Sequence, residues 1–330
     1  MPLPSSGAIS FNNINVELGL TATAQISLND SAVRTLFGVS SGAIAMNVGY
    51  GKANRVSVTV TIAANTTNYT LGTAQIPGYV AGKTDVTFVV NSGVYVYSTN
   101  TANAGLTVAA LNAADTVSIV NNGFIMGKGG NGGYSNGTTE VITFLNGGPA
   151  LTINRNVSIT NNSYIAGGGG GGRRGVGGTA YTGSGGGGAG GGSSWDSGVG
   201  GLENPGGGPG QAGIVPAGGN AGTSGGRILP GSLANQAGGK GASSENASFE
   251  TEVDGTAGGL TNQPGASQSD LSAGCIGGSG GGGWGAAGGN VGGGINTGGL
   301  RVGGTGGKAV NLNGNTVTWV VTGTRYGVIS

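Results

Sequence analysis

The sequence predicts a mainly β protein carrying a bundle of polyglycine-II helices. Three observations lead there. Glycine is concentrated, with 57 of the 80 glycines between residues 165 and 308, in blocks at 167–172, 185–192, 206–210, 218–226, 277–294 and 303–307. Runs with period-two apolar alternation precede that field, the clearest being Val56–Ile62. Internal repeats then tie the two edges of the field together.

The glycine field comes first. Glycine has no side chain to bury, so the region cannot build an ordinary apolar core. It is either disordered or packed backbone against backbone. Disorder is disfavoured because only 8% of residues are charged and the net charge is +1, whereas disordered chains usually carry self-repelling charge. Apolar residues also sit within and between the blocks (Ile214, Val215, Ile276, Val291, Ile295). A polyproline-II helix has three residues per turn and no internal hydrogen bonds. Glycine enters it without steric cost, and parallel rods satisfy one another's amides and carbonyls. Gly167, Gly187 and Gly282 are expected inside such rods, and Trp284, in the longest block, is expected to cap them. A regular Gly-X-Y repeat is absent, which excludes collagen, and silk would want alanine or serine alternating with glycine.

Around the field, residues 1–55 form a small unit with a helix at 31–37, capped by Asn29-Asp30 and ended by Gly38, with Val33, Leu36 and Phe37 on one face. It has few apolar residues and is expected to dock on something else. Residues 56–125 read as a small β-sandwich or β-roll, with Asn91-Ser92-Gly93 as the turn of a hairpin between 86–90 and 94–97. Residues 126–165 form a repeated strand layer, because 117–127 recurs as 157–167. The segment 147–154 matches 306–313, and 157–159 parallels 317–319 with one residue inserted. Stretches 147–165 and 306–329 are therefore expected to be neighbouring strand layers. The glycine slab, 166–308, is a long excursion from that base, and 309–330 supply a C-terminal strand packing on it.

Segments between the blocks become loops at the slab ends. They carry Arg173, Arg174, Tyr181, Trp195, Asp196, Phe249, Glu250, Glu252 and Arg301. Aromatic and arginine side chains on rigidly mounted loops make a recognition surface. The bland reading is that Trp195 and Phe249 cover slab edges.

Several chemistries are excluded or unsupported. The chain has no histidine and one cysteine, so a Ser–His–Asp triad, an intrachain disulfide and a cysteine metal cluster are ruled out. No cofactor is expected. The P-loop spacing fails at Lys240 and Lys308, and Gly-x-Gly-x-x-Gly matches arise by chance in such a sequence. Paired carboxylates for glycan cleavage would have to come from the acidic loop 245–254, Glu140 or Asp196, and nothing flags them. No enzyme is expected. No basic patch suits nucleic acid, no apolar run spans a bilayer, and the N-terminus lacks signal-peptide features.

Alternating glycine motifs and variable segments, with the motif Gly280-Gly281-Gly282-Gly283-Trp284-Gly285-Ala286-Ala287-Gly288-Gly289, resemble the tail-fibre tip adhesins of T-even-type bacteriophages over about residues 165–308. Ser5–Ser10, Ile26–Asp30 and Thr322–Gly327 are similar to segments of phage tail and fibre proteins. The resemblance implies a layered polyglycine-II sandwich whose distal variable loops bind a bacterial outer-membrane protein or polysaccharide. It further implies a virion-attachment unit at 1–55, other tail proteins as partners, and location at the phage tail after synthesis in the host cytoplasm. A homotrimer is expected because fibres commonly thread three chains on one axis. The alternatives are a purely structural tail or baseplate component and, more weakly, an ice-binding slab, for which the threonines lack regular spacing.

Overall fold

Three parallel sheets wrap one apolar core, and the glycine-rich segments leave from a single corner of that wrap. The structure, a computed structural model, describes residues 2–135, 140–141, 146–173, 264–265, 267, 279–291 and 300–330. The chain opens with two helices. Helix α1 (Phe11–Leu18) starts at Ser10, whose hydroxyl and the Asn13 side chain form a reciprocal capping box, and ends at Gly19 in the left-handed region. Helix α2 (Ser31–Phe37) runs from Asp30 to a left-handed Gly38 and buries Val33, Leu36 and Phe37. Those three pack with Leu3, Ile9 and Ile14. The Lys83 ammonium donates to the Glu17 carbonyl at 2.7 Å, and the Asn54 amide donates to the Glu17 carboxylate. These bonds fasten the unit to the sheets.

The rest is built as five coils; the first four contribute one strand to each sheet, and the last contributes to two and meets the third only through the isolated bridge of Ile329 to Val310. The first coil holds β1 (Val56–Ile62), β2 (Thr66–Thr67) and β3 (Tyr69–Leu71); the second holds β4 (Thr84–Val90), β5 (Tyr95–Tyr97) and β6 (Leu106–Val108). The third holds β7 (Thr116–Asn121) and β8 (Phe124–Met126), then an excursion with the short antiparallel pair β9 (Tyr134–Ser135) and β10 (Glu140–Val141), then β11 (Leu151–Ile153). The fourth holds β12 (Val157–Asn161), β13 (Tyr164–Ala166), the long glycine field, and β14 (Val310–Asn311); the fifth holds β15 (Val317–Val321) and β16 (Thr324–Tyr326). The sheets have the orders β1-β4-β7-β12-β15, β2-β5-β8-β13-β16 and β3-β6-β11-β14, and every pairing within them is parallel.

This arrangement corrects the hairpin and the sandwich expected over 56–125. Asn91–Gly93 does form a turn, closed by the Val94 amide on the Asn91 carbonyl at 3.1 Å, but it is a corner that sends β4 and β5 into different sheets. Period-two alternation is common to both architectures, so it could not separate them. The repeats, by contrast, appear as register. Ser118 lies against Ser158, Ile119 against Ile159 and Phe124 against Tyr164. Leu151 lies against Val310 and Val157 against Val317.

Stacking puts like residues in rows through the core. One row reads Val60, Phe88, Ile119, Ile159, Trp319, and its three central members are fully buried. At the corner between the first two sheets the buried Asn121 donates to Asn161 at 2.8 Å, and Asn161 donates to the Thr322 carbonyl at 3.0 Å. Such a ladder satisfies the amides that a turn leaves unpaired. Ile119→Ala is expected to cost ~2–5 kcal/mol. Ser118→Ala, on the outer face of the same strand, loses one hydroxyl contact with Ser158 at 2.8 Å and should cost only about 1 kcal/mol. Shifts in denaturant midpoint measure both.

Candidate functional site

The excursions depart after Met126 and after Ala166 and return before Leu151 and Val310, so both leave between the second and third sheets. Their glycine segments lie side by side with Gly167–Gly172 in the middle. Its carbonyls address three neighbours in strict rotation. Gly167 and Gly170 accept from Gly285 and Gly282 at 2.8 and 2.7 Å, and Arg173 accepts from Ser279 at 2.9 Å. Gly168 and Gly171 accept from Gly307 and Gly304 at 2.7 and 2.8 Å. Gly169 and Gly172 accept from Gly130 and Gly133 at 2.8 and 2.9 Å. Residues three apart thus share a neighbour.

This packing tolerates only hydrogen at the contacts. A Cβ on Gly167 would overlap the Gly307 carbonyl oxygen, on Gly168 that of Lys128, on Gly171 that of Asn131, and on Gly282 that of Ala286. The obstacles are backbone atoms, which cannot rotate away. Lys128 is buried among these segments, and desolvation lowers its pKa from the usual 10.5 to about 8.

Trp284 marks the near end of the slab. The turn at Gly285, which has φ +62°, reverses the chain there, and the Trp284 indole is buried against the outer face of the second sheet with Tyr95, Phe124, Met126 and Ala166. Tyr95 stacks on Phe124 at 4.6 Å and Phe124 on Tyr164 at 5.6 Å, while Trp284 meets Tyr164 edge-on at 6.3 Å and Tyr326 at 5.7 Å. Among the described residues nothing accepts a hydrogen bond from the indole N–H, so ring packing holds this turn. This aromatic grip escaped the sequence reading, although the repeat that aligns Phe124 with Tyr164 carried the signal.

The opposite end is reached by Arg173, Ser279, Val291 and Arg301. The Ser279 hydroxyl, fully buried, accepts from the Arg173 amide at 2.7 Å and donates to the Gly289 carbonyl at 2.7 Å. Val291 and Arg301 exchange both backbone hydrogen bonds at 2.9 Å. Arg173 and Arg301 are half-buried, whereas Leu300 and Val302, beside Arg301, are exposed. Of the other expected site residues, Arg174, Tyr181, Trp195, Asp196, Phe249, Glu250 and Glu252 lie outside the described residues, as does Gly187.

A family model described as phage tail fibre adhesin Gp38 matches residues 57–227. A solved structure titled the gp37-gp38 adhesin tip complex of the bacteriophage S16 long tail fiber is similar at 17% sequence identity and TM-score 0.45, over 99% of this chain and 100% of that one. No curated protein matches significantly.

Two outcomes follow from the packing. Gly168→Ala should destabilise by ~1–3 kcal/mol or more through backbone overlap, exceeding the cost of Gly314→Ala. Gly314 has φ +78° but open space around it, so that substitution strains only its own backbone. Thermal melts of the two variants give the comparison. The second concerns pH. The folded pKa of Lys128 lies below its unfolded value, so between about 8 and 10.5 the unfolded chain holds a proton that the folded chain does not. Stability should rise with pH through that window and fall as pH drops through about 8. Lys128→Met should flatten the rise in melting temperature.

Proposed function

This chain belongs to the phage tail fibre adhesin Gp38 family, and from that membership we propose that it binds a receptor on the bacterial surface through loops mounted on polyglycine-II rods. The observation that carries this reading is the rotation of Gly167–Gly172 carbonyls among three neighbours. It is the hydrogen-bond pattern required of threefold helices without side chains. Seven residues from Gly167 to Arg173 at ~3.1 Å each reach about 20 Å from the sheets. The aromatic grip on Trp284 fixes the near end. Arg173, Ser279, Val291 and Arg301, the described residues that bound 174–278 and 292–299, stand at the far end. A scaffold ordered in advance spares the loops part of the entropy of binding.

The role is adhesion without catalysis, at the tail of the virion, with the host receptor an outer-membrane protein or a surface polysaccharide. The division of labour supports it. Residues 1–55 expose Phe11, Val16, Leu20, Val48 and Tyr50, an apolar surface suited to attachment to another tail protein. Residues 166–308 are the receptor-binding part. In the trimeric form of this reading three copies share a fibre axis, and cross-linking on the virion counts them.

Replacing 193–204 and 242–273 with the corresponding loops of an adhesin of different host range should change which cells adsorb the phage while particles stay intact. Unaltered adsorption after both exchanges would remove those loops from the receptor site. Val16→Asp with Leu20→Asp should reduce tail-bound copies by on the order of tenfold or more, equivalent to ~1.4 kcal/mol of docking free energy. The purified variant should still compete for cells. Quantitative immunoblots of purified virions report the first quantity and adsorption competition the second.

A further inference from the structure

The two ends of the stack of coils are built differently. At one end β1 presents seven residues paired without interruption to β4, with Val56, Val58, Val60 and Ile62 in register with core positions. At the other end β15 follows β12 as far as Trp319 and then slips, so that Thr160 faces Val321 and Val320 is left over. Val320 is 66% exposed. The second sheet shows a parallel change. Its core-facing row reads Val96, Ile125, Ile165 and then Arg325. The first three are fully buried. The Arg325 guanidinium carbon lies 4.5 Å from the centroid of the Trp319 ring, which is itself the last member of the row through Phe88, Ile119 and Ile159.

The core is thus closed by a cation laid on an indole. Another coil stacked on this end would have to bury the guanidinium, and charge is expensive to desolvate. It would also have to pair with an edge that carries one residue too many. A bulged strand and an inward-pointing charge are recognised means by which sheets resist pairing edge to edge.

We propose that the last coil is a stop, in which Arg325 and the bulge at Val320 keep the stack from continuing into a second copy of this chain. The unblocked alternative is head-to-tail stacking of β15 in one copy on β1 in the next. That contact does not close on itself and generates open chains of molecules. The stop keeps the particle a unit of defined length. It acts independently of receptor binding.

Sedimentation velocity on the full chain tests this. Arg325→Ile restores the apolar row, and deletion of Val320 restores the register. The double variant should sediment as multiples of the wild-type particle, more so as concentration rises, while Arg325→Lys should keep the wild-type mass. A double variant with a cooperative melt and the wild-type mass at every concentration overturns the proposal. If the deletion prevents folding, Arg325→Ile alone should still raise the weight-average mass with concentration, and an unchanged mass for that folded variant overturns the proposal equally.

Discussion

Main-chain hydrogen bonding between segments that lack side chains is the constraint on which this molecule depends. A glycine segment has no apolar surface with which to drive its own burial, and ordering it costs more backbone entropy than ordering any other residue. It remains ordered only where its amides and carbonyls find partners and where those partners can come close enough. The contacts of Gly167, Gly168 and Gly171 with opposing carbonyl oxygens, too tight for any Cβ, show how completely closeness replaces packing of side chains. The same closeness makes the slab unforgiving, because a methyl group has nowhere to go.

The coils supply what glycine cannot. Their core rows are ordinary hydrophobic packing, with Leu71, Phe88, Leu106, Ile125 and Leu151 fully buried. Parallel stacking fixes the spacing between successive departures of the chain. Glycine segments leaving from adjacent coils begin in register with one another, and the bond from the Gly127 amide to the Ala166 carbonyl at 2.9 Å continues the β8–β13 ladder into the slab. Sheet pairing passes into pairing of glycine segments without a break. The aromatic stack ending on Trp284 then holds the returning turn against the second sheet.

Much of this was legible in the sequence, and the reasons differ by element. The repeat from Val117 onward and the fainter one from Gly147 onward gave neighbours and register, including the one residue inserted between Asn313 and Val317, because stacked coils repeat their side chains in sequence; the second slip, at Val320, left no mark in the repeat. Helix α2 was visible through its cap residues and its terminal Gly38. Helix α1 was not, because the apolar residues Phe11, Ile14 and Val16 do not fall on one face; Phe11 and Val16 are exposed and Ile14 is buried. Its signal was instead the Ser10–Asn13 pair. The corner at Asn91–Gly93 read as a hairpin because a tight turn between two apolar runs does not say whether the second run pairs with the first. Arg325 looked unremarkable until register placed it in line with Ile165. In the candidate site, the glycine pattern marked the segments that pair backbone to backbone, whereas Lys128 and Ser279 drew no notice because their burial depends on segments far away in the chain.

Both excursions leave and re-enter the stack at the same corner, between a strand of the second sheet and a strand of the third. A segment inserted there shifts no residue out of line within the coils above or below it. Variation in the length of the field is therefore uncoupled from the integrity of its support. An insertion or deletion in that segment therefore leaves every pairing of the coils as it stands.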